Sequence, residues 1–204
     1  MKKSTLFTMT VFTLIAFIVL PLIAIIALWG VKSYNQIVTA EENVETAWSQ
    51  VENQYQRRSD LIPNLVNTVK GYAAHEQATL EQVIAARAQA TAIKLDATQM
   101  TADQIQAFND AQGQLSMALG RLMAVSEAYP DLKANQNFLE LQAQLEGTEN
   151  RITVARNTFN EQAKAYNVLI RRFPKNIIAQ MFGFEKKPYF EAEAGAEKAP
   201  TVEF

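Results

Sequence analysis

A chain of 204 residues with 19 basic and 21 acidic side chains, a single histidine and no cysteine excludes several function classes at once. Without net positive charge it has no electrostatic footprint for nucleic acid, and without cysteine it can build neither a disulfide framework nor a thioether lipid anchor. Glycine and proline are scarce, at 7 and 6, and strand-like alternation of β-branched residues is missing, so the fold class is all-α.

The first predicted element is Leu6 to Trp29, LFTMTVFTLIAFIVLPLIAIIALW, which carries no charge. About 20 such residues in a helix cross the hydrocarbon core of a bilayer. Leu6, Phe7, Ile15, Phe17, Leu20, Pro21, Ile25, Leu28 and Trp29 are the membrane-spanning residues of this anchor, residues 1–30. Pro21 is tolerable there because neighbouring groups take up the backbone bond it forfeits, and Trp29 and Tyr34 suit the far interface. The alternative is a cleaved signal peptide. Against it stand an apolar run longer than the roughly 7 to 15 residues of a signal core and the lack of an A-x-A-like site between Ala24 and Gly30. Lys2 and Lys3 precede the span and Lys32 alone follows it closely, a slight bias toward a cytoplasmic N-terminus and an exported body. With those two lysines set aside, 17 basic residues face 21 acidic ones beyond the span, which argues against a polybasic membrane-surface patch.

From Tyr34 the apolar positions Ile37, Val44, Trp48, Val51 and Tyr55 recur at steps of three and four, the seam of a helix packed on other helices. Its phase continues that of the span, so the first bundle helix is expected to prolong the membrane helix. Ser59, Asp60 and Pro63 then predict a break, with a tight hairpin preferred over a bend. A second helix follows through Leu65, Val69, Leu80 and Val83 toward Ile93. Thr101-Ala-Asp-Gln104 is a capping box opening a third helix with Ile105, Phe108, Leu115, Leu119 and Leu122 inward, and Ala111 and Gln112 also on the seam. The longest helix starts between Asp131 and Asn135 and sustains its seam from Phe138 to Phe173, where Pro174 stops it. Four stretches joined by short breaks predict an antiparallel four-helix bundle with long helices over residues 31–190. Ile177 to Phe190 is too apolar for a free tail and forms a short C-terminal cap, with the Phe182, Phe184, Tyr189 and Phe190 group packed internally. Residues 191–204 read as a flexible tail.

The segments Ala47-Trp48-Ser49-Gln50-Val51-Glu52-Asn53-Gln54-Tyr55-Gln56-Arg57-Arg58, Asp60-Leu61-Ile62-Pro63-Asn64-Leu65-Val66, Ala85-Ala86-Arg87-Ala88, Glu127-Ala128-Tyr129-Pro130-Asp131-Leu132-Lys133-Ala134-Asn135 and Leu145-Glu146-Gly147-Thr148-Glu149-Asn150-Arg151-Ile152 carry a specific pattern. In these, and at Arg172-Phe173-Pro174, the chain resembles the LemA family of bacterial membrane proteins. The resemblance implies an N-terminal membrane helix followed by a four-helix bundle in the bacterial cytoplasmic membrane. It implies no enzymatic activity and supplies no catalytic residue.

Chemistry is sparse. His75-Glu76 lacks the second histidine of a zincin helix, since residue 79 is Thr. With one histidine and no nucleophile elbow or glycine-rich phosphate loop, no catalytic residue, metal, cofactor or small-molecule substrate is predicted. Glu52, Asn53, Arg57 and Arg58 on the first helix, with Glu149, Asn150, Arg156, Asn157 and Asn160 on the fourth, are denser in Asn and Arg than a solvated face requires. They form a candidate interhelical polar layer fixing helix register, against the plain alternative of a solvated face. The expected function is a non-catalytic, membrane-anchored scaffold or interaction module partnered by the bilayer and by copies of itself. The alternative is a monomeric adaptor presenting a membrane protease or signalling partner.

Overall fold

The apolar span and the Ile37–Val44–Val51 seam are in phase, and in the computed structural model, which describes residues 2–191 with side chains from Phe17 onward, they form one helix. Helix α1 (Lys2–Tyr72) has 71 residues, roughly 105 Å at 1.5 Å per residue. Phe17, Leu20, Ile25 and Leu28 are exposed along its N-terminal part, as a lipid-facing helix requires, while Trp29 is half-buried against the bundle. The side chains of Leu6, Phe7 and Ile15, and the expected tail beyond Glu191, lie outside the described residues.

The expected hairpin at Ser59–Pro63 is not formed. The helix continues unbroken past Pro63, and the chain reverses at Ala73–Glu76, where the Ala73 amide donates to Val69 O (2.8 Å) and Glu76 N to Ala73 O (3.1 Å). A proline inside a helix withholds the hydrogen bond owed to the carbonyl four residues earlier. That carbonyl belongs to Ser59, and Arg87 Nε from the next helix donates to it at 2.8 Å. A neighbouring helix thus satisfies the acceptor that Pro63 leaves free, and no break is needed.

Among the described residues the chain continues with α2 (Gln77–Ala92), α3 (Ala102–Ser126), the single turn α4 (Pro130–Lys133), α5 (Gln136–Arg171) and α6 (Lys175–Phe182). The capping box forms as expected: Gln104 N donates to Thr101 Oγ1 and Thr101 N to Gln104 Oε1. Asn135 Oδ1 caps α5 by accepting from Phe138 N at 3.0 Å. Helix α5 lies antiparallel along α1, and α2 lies against α3, closing a four-helix bundle. Because α1 absorbs residues 59–72, α2 is short and reaches only half the bundle.

The apolar interior consequently divides in two. The distal core gathers Ile62, Leu65, Val69, Leu80, Val83, Leu115, Leu122 and Phe138 from all four helices. The membrane-proximal core gathers Ile37, Trp48, Val51, Phe108, Ile152, Phe159 and Tyr166 from α1, α3 and α5, together with Ile178, Ala179 and Phe190 from the C-terminal cap. There the place left by α2 is filled by the 93–100 loop and by residues 184–191, an extended strap following Gly183, whose φ of +74° ends α6. Trp48 is enclosed by Phe108 and Phe159 at 5.6 Å and stacks on Phe190 at 5.8 Å.

The Arg87–Ser59 bond matters because of Pro63, so the two substitutions must be coupled. Arg87→Ala should cost on the order of 1.5–3 kcal/mol, the range for a hydrogen bond involving a charged group. In a Pro63→Ala background, where Ser59 O regains its helical donor, the same change should cost measurably less. Thermal melts of the four proteins by circular dichroism in detergent give this cycle directly.

Candidate functional site

Arg58 stands on α1 at the level where α2 ends, between the two cores, and is 1 % exposed. Its Nη1 donates to Glu149 Oε1 on α5 (2.6 Å) and to Ser116 Oγ on α3 (2.9 Å), and its Nη2 donates to the side-chain oxygen of Gln112. Gln112 Nε2 in turn donates to Ala90 O in the last turn of α2 at 3.3 Å. One guanidinium therefore connects every long helix of the bundle. A buried arginine holds its charge only when carboxylate and amide acceptors replace the lost water, and here one of each is supplied. Glu149 is about half-exposed, so the pair sits at the wall of the bundle with its cationic end inside.

Beside this layer opens a cleft of ≈ 490 Å³ lined by Glu52, Asn53, Tyr55, Gln56, Ser59, Lys94, Phe108 and Gln112. Partial desolvation at the cleft wall raises the Glu52 carboxyl, and burial raises the Tyr55 phenol, above their ordinary ranges. Ser59 is 2 % exposed and its hydroxyl has no partner.

The second polar assembly clamps the strap. Asn160 and Asn167, seven residues apart on α5, each pair their amide with the strap's backbone as a β-strand neighbour would. Asn160 Nδ2 donates to Phe190 O and Asn160 Oδ1 accepts from Phe190 N, both at 2.9 Å. Asn167 does the same to Lys187, at 2.8 and 2.9 Å. Lys187 itself is buried, donating to Thr98 O at 2.8 Å and paired with Glu41 at 2.7 Å, its ammonium 5.7 Å from the Tyr166 ring centre. Burial holds the Tyr166 phenol far above its usual range. Arg156 lies 4.7 Å over the Phe190 ring and donates to Glu191 O at 3.1 Å.

The nine residues expected in an interhelical polar layer thus fall into three groups. Arg58 and Glu149 meet between the cores. Arg156 and Asn160 hold the strap. Glu52, Asn53, Arg57, Asn150 and Asn157 are exposed in the single chain. Sequence reasoning missed Ser116 and Lys187, gave Asn167 no structural role, and placed Gln112 on the apolar seam without assigning it one. The available signals were a glutamine at an inward position of α3 and asparagines repeating at heptad spacing beside Phe159 and Tyr166. Lys187 carried none, because only the strap's path buries it. His75 is exposed in the α1–α2 turn, and Glu76 accepts from Tyr129 OH at 3.1 Å.

Removing Arg58 empties a fully buried site and strands Gln112, while the half-exposed Glu149 regains water, so Arg58→Ala should destabilise by roughly 2–5 kcal/mol, the range for truncating a large buried side chain. Arg58→Lys should recover little, since one ammonium cannot span the positions reached by the arginine fork. Denaturant titration of full-length protein checks both. For the strap, hydrogen exchange is the sharper measurement. Asn160→Leu should strip protection from the Phe190 amide and Asn167→Leu from the Lys187 amide, with the core helices of each variant still protected.

The chain matches the LemA family over residues 47–204, which takes in the cap, the strap and all of the bundle except the first turns of α1 beyond the span. It is 30% identical over 201 residues to the magnetosome protein MamQ 1 of Paramagnetospirillum magneticum, an alignment covering 90% of this chain and 73% of that one. Against the magnetosome protein MamQ of Magnetospirillum gryphiswaldense it is 30% identical over 206 residues, covering 93% and 75%. To protein LemA of Metamycoplasma hominis it is 24% identical over 158 residues, covering 78% and 68%. The Arg58–Glu149 pair, the Asn clamps and the strap all lie inside the matched region, and this membrane-associated helical protein belongs to the LemA family.

Proposed function

We propose that the protein is a non-catalytic scaffold of the bacterial cytoplasmic membrane whose bundles assemble side by side around the membrane stalk. The observation that carries this reading is the outer groove between α1 and α5. Three shallow depressions follow one another along it, the first lined by Asn43, Thr46, Gln50, Thr158 and Gln162, the second by Gln50, Asn53, Gln54, Asn150 and Thr158, and the third by Asn64, Asn67, Thr68, Asn137 and Gln144. Only Arg151 and Glu140 among the lining residues are charged, and Val154 is 64% exposed at the centre. Protein interfaces are depleted of charge at their cores, and neutral amides lose far less than ions when water is removed. Amides also both donate and accept, so one such face can pair with itself or with its neighbour in a ring. The continuous α1 supports the same reading, because it holds every bundle at one height above the bilayer.

We further infer a cytoplasmic N-terminus and an exported bundle, from Lys2 and Lys3 before the span against Lys32 after it. Light scattering on full-length protein in mild detergent should give a defined multiple of the chain mass. Asn53→Glu combined with Thr158→Glu, which sets like charges on the groove, should return it to one chain with an unchanged melting curve. A single-chain mass for the unmodified protein, with no crosslinked multiples in native membranes, would sink the scaffold in favour of a monomeric adaptor.

A further inference from the structure

Helix α6 packs against the first turns of α1 beyond the span. Ile178 and Ala179 turn inward, a Cβ placed on Gly30 would meet Ile178 Cδ1 at 3.9 Å, and the Phe182 ring lies 4.8 Å from that of Tyr34. Trp29, the last residue of the apolar run, packs on the same core. The opposite side of this corner is apolar and uncovered: Phe173 is 82% exposed, Met181 69%, Phe182 57% and Ile177 48%. Internal packing, expected for Phe182 from the sequence, holds only on its Tyr34 side. Ile177 and Met181 are one turn apart on a single face of α6, with Phe173 one turn earlier in sequence.

We propose that α6 is an interfacial foot, lying in the headgroup region of the bilayer that α1 crosses and sinking Phe173, Ile177, Met181 and Phe182 into its acyl boundary. This rests on α1 being the membrane span. Two observations converge on lipid as the occupant. The apolar face begins at the height of Gly30 to Tyr34, where the span emerges, so it is continuous with the lipid-facing surface of α1. The segments that flank it are basic, with Arg171 and Arg172 at the end of α5, Lys175 as the first residue of α6, Lys186 shortly after its end and Lys32 two residues past Gly30 on α1, against the single acid Glu185 in the C-terminal flank. An apolar face with cationic flanks is the pattern of a helix that rests on anionic lipid. The near-neutral bundle conceals it in the sequence, because Lys32 and the four other cations are 139 or more positions apart and are brought together only by the antiparallel return of α5.

The absence of cysteine makes single labels unambiguous. Full-length Ile25→Cys, Met117→Cys, Ile177→Cys and Met181→Cys, each spin-labelled and reconstituted in phosphatidylcholine–phosphatidylglycerol vesicles, are compared by accessibility to oxygen and to a water-soluble nickel chelate. The label at 25 reports the span, and that at 117, on exposed α3, reports water. Labels at 177 and 181 should show an oxygen-to-nickel ratio several-fold above that at 117 and below that at 25. Replacing Arg171, Arg172 and Lys175 by Gln should lower the ratio at 177 and 181 and leave 25 unchanged. A water-like signal at 177 and 181 beside a lipid-like signal at 25 overturns the foot alone. Shielding from both agents with dipolar broadening overturns it in favour of a second copy, and a water-like signal at 25 removes the anchor and the foot together.

Discussion

A guanidinium in the middle of a helical bundle is the constraint to which the other parts of this fold conform. Arg58 cannot be buried unless its charge is met, and the groups that meet it come from α3 and α5, with α2 reached through Gln112. Apolar seams alone tolerate sliding by a heptad, because one leucine packs much like the next. A fork of fixed donors does not, and each candidate register that removes Glu149 or Gln112 leaves a buried ion without partners. The level of Arg58 is also where the two cores meet and where α2 ends, so the layer closes the lower edge of the distal core.

From that level toward the membrane a bundle of α1, α3 and α5 lacks a fourth side, and the strap supplies it by different physics. An extended segment cannot satisfy its own backbone, and no sheet edge stands nearby. The two asparagine amides replace one, each offering a donor and an acceptor at the spacing of a peptide group. Phe190 then fills the space between Trp48, Phe108 and Phe159, and Lys187 ties the strap to the 93–100 loop and to Glu41. Burying a lysine is acceptable here for the same reason as burying Arg58: a carboxylate and a carbonyl are already in place.

What was legible in the sequence follows the range of the interaction. The span, the Thr101 capping box and the seam of α5 as far as Tyr166 rest on residues within a few turns of each other and stand as read, whereas the expected end of that seam does not: α5 stops at Arg171, its last inward residue is Ile170, and Phe173 is turned outward. Pro63 shows the limit. Its local meaning is a break, but the cost of a proline in a helix is chiefly one stranded carbonyl, and Arg87 lies 28 positions away from the Ser59 carbonyl it rescues. The true reversal at Ala73–Glu76 had weaker signals, a glycine and a lysine in the last turn before it. Arg58 and Arg57 are indistinguishable by type and adjacent in sequence, yet one is sealed in the bundle and the other exposed. Helical phase separates them: Arg58 lies three residues past Tyr55 on the inward seam and Arg57 does not, a distinction carried by the spacing alone.

The continuity of α1 joins these features into one mechanical unit. A helix that broke at residue 59 would carry only half the bundle, and the distal core could turn about the break. Carried through Pro63 by the Arg87 bond, the same helix enters the membrane, supports both cores and presents one side of the amide-lined groove from Asn43 to Thr68. A groove built on one unbroken helix keeps its residues in a fixed order along one element, whereas a break would let the two halves present different surfaces. The bond that carries the chain through Pro63 is therefore what would make its outer face repeatable from one molecule to the next.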